Sequence, residues 1–187
     1  MRKAVSLILP VFICLIFAAA PVYGKKAYLG DIVVTNTRDH LLLYFTVNDC
    51  FTPQMNTVIE SGLNTTFTFF VKVYERRSIL WNKIISSSEI SHSIKYDHLK
   101  NVYEVRLSEI NGNPRVVKSF EEAKRLMAEV TAFKVMPLQD LRKGGRYQVK
   151  MMAELDRVKL PLYLDYVLFF LSLWDFETGW STVDFRY

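Results

Sequence analysis

The chain has 187 residues, of which 50% are hydrophobic and 14% aromatic, and its formal net charge is +5. This length and apolar content suit one well-buried domain and are too small for two comfortable ones. Basic side chains alternate with acidic ones, and no run of Lys or Arg is longer than two residues. The charge pattern therefore predicts a solvated surface and excludes a basic groove for nucleic acid.

The first 24 residues have the pattern of an export signal. Arg2 and Lys3 precede a long apolar run, and small or modest residues close the segment at Gly24. This pattern predicts a secretory signal peptide cleaved after Gly24, which leaves residues 25–187 as a single exported β-rich domain. The alternative is an uncleaved membrane anchor, because residues 4–22 are nearly long enough to cross a bilayer as a helix.

Cleavage would remove two basic residues and no acid, so the formal net charge would fall from +5 to +3. The remaining chain has one cysteine, Cys50. An intrachain disulfide is then impossible, although an exporting compartment would permit one. A lone cysteine beside Phe51 is typical of a small buried apolar residue.

Alternating apolar residues predict antiparallel strands in the first half of the mature chain. Ile32–Thr35 and Leu41–Val47 flank a turn-prone tetrapeptide, which predicts a hairpin. Thr65–Glu75 predicts a central strand, since both of its faces carry apolar residues. Ile94–Asp97 and Val102–Leu107 predict a second hairpin.

Between these strands the pattern is weaker. Ile79–Ile85 has no pure period and is assigned to a strand, whereas the polar segment Ser86–Ser91 is predicted to be a loop or a sheet edge. Asn111-Gly112 is the strongest turn signal in the chain, because both residues accept positive φ, and it leads into Arg115–Lys118.

Capping residues predict the helices. Thr52-Pro53 begins a short helix that ends at Gly62. Ser119-Phe120-Glu121-Glu122 has the form of a capping box, and the apolar stripe that follows it extends to Val130. Pro137–Leu141 is expected to form a single helical turn.

The end of the chain combines the most regular strand with the densest apolar run. Arg146–Asp156 has the clearest alternation of apolar and polar residues, and its polar face is expected in water. Within Leu160–Tyr187, residues 162–174 are almost entirely apolar, and Val183, Phe185 and Tyr187 then alternate as a last strand. Seven or eight strands and one or two packed helices predict a mainly β fold. We expect an antiparallel β-sandwich, either immunoglobulin-like or a curled sheet, after an N-terminal signal or anchor helix.

Short motifs follow one another in a particular order: Tyr96-Asp97, Val102-Tyr103-Glu104-Val105, Ser119-Phe120-Glu121-Glu122-Ala123, Gly145-Arg146-Tyr147, Leu160-Pro161-Leu162, Trp174, and Trp180-Ser181 before Phe185. In this order they resemble the exported bacterial family called domain of unknown function 4390 (DUF4390). The resemblance implies a short secreted or membrane-attached protein of Gram-negative bacteria, with no established activity and no catalytic residues to carry over. Export would then place the domain in the periplasm, either free or anchored to the inner membrane. The resemblance also implies a context of membrane sensor kinases of the nitrogen-regulation type.

No pattern for metal or nucleophilic chemistry occurs in the sequence. His40 lies in a predicted turn, and His92 and His98 would be about 20 Å apart along an extended strand, so local geometry does not let them share an ion. No HExxH, CxxC or GxSxG spacing is present. We therefore predict no catalytic residue, no metal ligand and no cofactor.

Acidic residues leave one enzymatic alternative open. Asp165 is a carboxylate in a strongly apolar context, where a buried acid needs a partner or takes a raised pKa. It is also explained as a solvent-facing acid at a helix start. The alternative function is an envelope hydrolase in which Asp165 or Asp175 meets a histidine only in three dimensions.

Aromatic residues near the C-terminus provide the candidate binding site. Trp174, Phe176 and Trp180 surround a polar stretch, so these rings either close the bottom of the sandwich or form an exposed patch. We predict a non-enzymatic, exported binding module of the cell envelope, linked to membrane signalling, whose partner is an envelope or inner-membrane protein. A third possibility is a carrier of an apolar ligand inside a curled sheet.

Overall fold

A computed structural model of the chain describes four stretches, residues 26–77, 81–110, 112–156 and 177–187. Several sequence predictions lie outside these stretches: the N-terminal leader, the apolar run from Leu160, and the side chains of Asp165, Trp174, Asp175 and Phe176. Of the helices within the four stretches, none combines the length and the apolar character needed to span a bilayer.

The described residues form a mainly β fold with nine strands, two α-helices and one turn of 3-10 helix. In chain order the elements are β1 (Tyr28–Asn36), β2 (His40–Asn48), α1 (Pro53–Glu60), β3 (Thr65–Glu75), β4 (Lys83–Asp97), β5 (Val102–Leu107), β6 (Arg115–Val117), α2 (Phe120–Ala128), β7 (Glu129–Pro137), the 3-10 turn (Leu138–Asp140), β8 (Arg146–Leu155) and β9 (Ser181–Arg186). They make two antiparallel sheets, a small one with the order β1-β2-β7 and a large one with the order β6-β5-β4-β3-β8-β9.

Both predicted hairpins are confirmed. In the first, β1 pairs with β2 so that Asn36 lies opposite Leu41, and the Thr37 hydroxyl accepts a hydrogen bond of 3.0 Å from the backbone N–H of His40. In the second, β4 pairs with β5, and Asp97 lies opposite Val102.

The predicted central strand is also confirmed, because β3 lies between β4 and β8. Successive residues of a strand point to opposite faces, so its odd-numbered residues share one side. On β3 these are fully buried at Phe67, Phe69, Val71 and Val73. The matching face of β8 is buried at Tyr147, Val149, Met151, Ala153 and Leu155.

In the middle of the chain the structure selects one of two predicted alternatives and corrects another prediction. Ser86–Ser91 is a sheet edge and not a loop: it belongs to β4 and pairs with β3 on one side, whereas β5 pairs with β4 only from His92 onward. The Ser86 hydroxyl donates a hydrogen bond of 3.2 Å to the carbonyl of Val135, which satisfies a polar group facing the other sheet. The helix that begins after Ser119 ends at Ala128, so Val130 lies in β7, a strand that the sequence did not predict.

The predicted helix starts are confirmed. The Thr52 hydroxyl accepts a hydrogen bond of 3.2 Å from the N–H of Met55 at the start of α1, and Gly62, with φ of +82°, follows its end. The Ser119 hydroxyl accepts a bond of 3.3 Å from the N–H of Glu122 at the start of α2. Each cap satisfies an N–H that has no partner within its helix.

One apolar core holds the two sheets together, since a single cluster of buried residues includes members of both. The rings of Phe45 on β2 and Phe69 on β3 meet edge to face, with centroids 5.5 Å apart. Helix α2 packs at the side of this core, where Phe120 stacks on Tyr103 of β5 at 5.0 Å.

We predict that Phe69→Ala lowers the free energy of unfolding by about 3–5 kcal/mol, because it opens a cavity where the two sheets meet. Phe70→Ala is the matched control, since Phe70 is the next residue of the same strand, points to the opposite face and is only half-buried. It should cost roughly 1 kcal/mol or less. Urea unfolding of both variants measures the difference, and equal losses would contradict the assignment of the two faces.

Candidate functional site

Trp180 is the member of the predicted aromatic site that lies within the described residues. It directly precedes β9, and 45% of its surface is exposed. The Lys72 ammonium lies 5.0 Å from the centroid of its ring. At this position the ring therefore faces solvent beside a cation and does not close the core.

The residues around Trp180 belong to the outer face of the large sheet. Lys72 on β3 lies opposite Lys150 on β8, which lies opposite Thr182 on β9. One row further on, Tyr74 lies opposite Gln148. We define the basic–aromatic face as Phe70, Lys72, Tyr74, Lys150, Met152 and Trp180.

Two lysines directly opposite each other on paired strands repel. Here each has an aromatic ring beneath it, because the Lys72 ammonium lies over Trp180 and the Lys150 ammonium lies 5.3 Å from the centroid of Tyr74. A cation over such a ring gains about 0.5–1 kcal/mol at an exposed site. The rings thus offset the repulsion and hold both charges at the surface.

The basic–aromatic face has the composition of a protein-binding surface. Phe70, Tyr74 and Met152 are half-buried, so part of each remains available beside the exposed ring of Trp180. Aromatic residues and methionine are enriched where proteins meet, and tryptophan often supplies a large share of the binding energy. The two ammonium groups add a preference for a negatively charged partner.

The sequence pointed to Trp180 but not to the residues beside it. The alternation of apolar and polar residues along β3 and β8 was visible in the sequence. It placed Lys72 and Tyr74 on the same side of β3. That Lys150 lies directly opposite Lys72 depends on strand pairing, which local patterns do not specify.

A second constellation lies inside the domain. His92 on β4 is fully buried, and its Nε2 lies 2.9 Å from Oε1 of Glu109, a residue that follows β5. Its Nδ1 lies 3.0 Å from the carbonyl oxygen of Met127 in α2. The ring also meets Phe69 edge to face at 4.8 Å.

The partners of the His92 ring determine where its protons are. A carbonyl oxygen can only accept, so Nδ1 donates to Met127. Burial raises the pKa of Glu109, but the hydrogen bond from His92 and its positive charge outweigh that effect and leave the pKa below its ordinary value. The Glu109 carboxylate is then the acceptor of the bond at Nε2.

This pair meets the first requirement of the hydrolase alternative, an acid and a histidine that come together only in three dimensions. It does not meet the second, because the imidazole has no exposed surface and both of its nitrogens are occupied. The His92–Glu109 pair therefore acts as an internal tie between β4, α2 and the turn after β5.

The other histidines and the cysteine considered in the sequence belong neither to the basic–aromatic face nor to the His92–Glu109 pair. His40 begins β2, and the ring of His98 lies 4.8 Å from that of Tyr96 beyond the end of β4. Cys50 is buried, as predicted, and burial raises the pKa of its thiol to about 12. Across the four described stretches, no three His, Cys, Asp or Glu side chains gather as a metal site would require.

Comparison with known proteins identifies a family. The family model described as Domain of unknown function (DUF4390) matches residues 25–184. No curated protein and no solved structure matches the chain.

The internal tie predicts different outcomes for two substitutions of Glu109. Glu109→Leu leaves a buried nitrogen of His92 without a partner, which should cost about 1–3 kcal/mol of stability at neutral pH. Glu109→Gln should cost less, because its amide can donate to Nε2 while Nδ1 still donates to Met127.

The same pair predicts an acid dependence. Because the folded pKa of Glu109 is lowered, its contribution is present above its unfolded pKa of about 4.3 and is lost as pH falls through the folded value. Urea unfolding of the wild type and of Glu109→Gln at pH 4.5 and pH 3 tests this. The wild type should lose more stability over that interval, and parallel losses would show that the carboxylate does not contribute in this way.

Proposed function

The chain belongs to the DUF4390 family, and on that premise we propose that it is an exported, non-enzymatic binding module of the cell envelope. Its partner is an envelope or inner-membrane protein that contacts the basic–aromatic face through an acidic, partly apolar segment. The observation that carries the proposal is the exposed ring of Trp180 held beside the Lys72 ammonium.

Export is supported by the N-terminal sequence. Arg2 and Lys3 followed by a long apolar run have the order of a secretory signal, with Gly24 as the proposed last residue of the leader. If residues 4–22 stay in the membrane instead, the domain remains in the periplasm but is tethered to the inner membrane. Both arrangements present the basic–aromatic face to the envelope.

The chemistry of the face supports the choice of partner. The aromatic rings hold two ammonium groups at the surface, which favours a negatively charged partner, and the same rings offer apolar contact. A protein segment with acidic and apolar side chains satisfies both. A mainly apolar partner would leave the ammonium groups to be desolvated without compensation.

For the architecture, we propose a β-sandwich of the curled-sheet kind. Strands β3 to β6 form a meander, and β8 and β9 extend it on the other side of β3. An immunoglobulin-like sandwich has Greek-key connections and divides its strands more evenly between the sheets. A six-stranded sheet facing a three-stranded one fits better with a large sheet that bends around its core.

The two other candidate functions have less support. A hydrolase would need an accessible acid–base pair, and the His92–Glu109 pair is enclosed. A carrier of an apolar ligand would need space between the sheets, whereas Phe45 and Phe69 are in contact there.

We predict that Trp180→Ala reduces affinity for the envelope partner by about thirtyfold, the equivalent of about 2 kcal/mol for a tryptophan at the centre of an interface. The matched control is Trp81→Ala, since Trp81 is also a tryptophan and is 94% exposed. Affinity capture from solubilised envelopes, with the partner quantified by mass spectrometry, measures both. If the two variants retain equal amounts of every partner and unfold at the wild-type temperature, the basic–aromatic face is not the binding site.

A further inference from the structure

The connection between β3 and β4 leaves a tryptophan almost entirely in solvent. Trp81 lies two residues before β4, and 94% of its surface is exposed, compared with 45% for Trp180. Ile84, three residues further on, is 50% exposed. Leaving apolar surface in water is unfavourable, so two large apolar side chains exposed this close together point to a contact with something outside the domain.

A β-bulge places Ile84 on the surface. Val73 lies opposite Ser86, whereas the next residue of β3, Tyr74, lies opposite Ile84, so Ile85 is an extra residue in β4. Without this extra residue, Ile84 would lie on the core side of the sheet. The bulge therefore turns an isoleucine outward beside Tyr74.

Glu75 gathers basic residues at the same end of the large sheet. Lys83 lies directly opposite it on β4. The buried Glu75 carboxylate accepts hydrogen bonds from Arg77 and from Arg142, which lies in the turn before β8. Lys143 follows Arg142 and is exposed. The connection between β3 and β4 and the turn before β8 are thus held together around one carboxylate. We define the Trp81 end as Trp81, Ile84 and the four basic residues Arg77, Lys83, Arg142 and Lys143.

The charges of the Trp81 end do not cancel. The hydrogen bond from Arg142 is the first reason that the pKa of Glu75 lies below its ordinary value, so Glu75 is one carboxylate shared by two guanidinium groups. A second acid, Asp140, is exposed at the end of the 3-10 turn. The neighbouring Arg76 and Asp184 form an ion pair of their own. The four cations of the Trp81 end against these two carboxylates leave two positive charges in excess.

We propose that the Trp81 end binds the surface of an anionic phospholipid bilayer. The ring of tryptophan is favoured at the level of the lipid headgroups, because it is apolar and carries one polar N–H. Cations beside it gain from the negative potential of the lipid surface, and their long stems let the charges reach the phosphates. An apolar anchor combined with a basic surface is what interfacial binding requires.

A bilayer suits Trp81 better than a protein partner does. The tryptophans that contribute most to protein binding lie among neighbours that exclude water. Trp180 has half-buried neighbours of this kind on the basic–aromatic face, whereas Trp81 projects into solvent. A fluid lipid surface needs no fixed complementary shape. The ammonium groups of Lys83 and Lys143 match mobile headgroups, because they are compact charges on flexible stems.

The Trp81 end lies far from the start of the described chain. Tyr28 pairs with Asn48, and three residues later the ring of Phe51 lies 5.6 Å from that of Phe67, near the start of β3. Glu75 ends β3, so the two ends of the sandwich are roughly 30 Å apart at about 3.3 Å per residue. The lipid contact is therefore separate from the predicted leader. It goes beyond the proposed partner contact and does not depend on it.

Vesicle flotation with the protein as cells accumulate it tests the lipid contact. Vesicles of phosphatidylcholine mixed with phosphatidylglycerol should recruit the wild type, and Trp81→Ala should weaken this recruitment about tenfold, which corresponds to about 1.4 kcal/mol. Leu99→Ala is the matched control, because Leu99 is 99% exposed beyond the other end of β4. Its neighbour Lys100 is already paired with Asp97 and Glu104, so recruitment should not change.

Charge variants test the cationic part of the site. Lys83→Gln should weaken recruitment, whereas Lys95→Gln, which changes an exposed lysine near the other end of the same strand, should not. Raising the salt concentration from about 0.1 M to about 1 M should release the wild type, because the screening length falls from about 10 Å to about 3 Å. Asp140→Asn should strengthen recruitment, a gain that misfolding could not produce.

Quenching of tryptophan fluorescence by lipids with brominated chains measures the contact itself. Mixed vesicles that contain such lipids should quench part of the wild-type emission, and Trp81→Ala should remove that part. Recruitment of Trp81→Ala equal to that of the wild type would overturn the proposal.

The two proposals fail in different ways. If Trp81→Ala lost a protein partner in capture from solubilised envelopes, the ring would belong to a protein contact and the lipid proposal would be wrong. Trp180→Ala should bind vesicles like the wild type. Unchanged partner capture by Trp180→Ala would count against the proposed function and leave the Trp81 end intact.

Discussion

The contact between Phe45 and Phe69 is the constraint on which the rest of this domain depends. It joins the small sheet to the large one, and it commits the odd-numbered residues of β3 to the interior. Because side chains alternate along a strand, the even-numbered residues must then point outward. The in-register partner β8 follows the same division, so Lys72 and Lys150 share the outer face. Packing of the core thus determines which residues lie on the outer face.

The buried imidazole of His92 adds directional contacts to this apolar core. Apolar packing alone tolerates small rotations and shifts of a helix, whereas two hydrogen bonds require particular atoms in particular places. Nδ1 holds the carbonyl of Met127 near the end of α2, and Nε2 holds Glu109 after β5. The histidine thereby fixes the helix against the large sheet, which explains a titratable group at the centre of the domain without a catalytic role.

The sequence predicted what depends on near neighbours. The caps at Thr52 and Ser119 and the alternation of β3 and β8 could be recognised because the interacting groups lie a few residues apart. Strand β7 could not, since Ala132 has a φ of +52° and the pairing of β2 with β7 shifts register twice, so its pattern does not alternate cleanly. The serines of β4 could be assigned to a loop or to a sheet edge, because the partner of Ser86, the carbonyl of Val135, is distant in the sequence.

The same limit applies to the candidate sites. No run of Lys or Arg in the sequence is longer than two residues, and the predicted absence of a basic groove depended on the order of charges along the chain. Arg76, Arg146 and Arg186 are far apart in that order and become neighbours only through strand register. Trp180 could be predicted because a tryptophan in a polar stretch is conspicuous by itself, whereas its cationic neighbour Lys72 belongs to another strand.

The most direct measurement is site-specific photo-crosslinking in living cells, with the reactive amino acid placed at Thr182, an exposed position opposite Lys150. If the outer side of β3, β8 and β9 is a binding surface, this position should yield a discrete crosslink to an envelope or inner-membrane protein. The same probe at Arg106, exposed on β5 of the same sheet, should yield none. Equal crosslinks at the two positions, or none at either, would contradict the account.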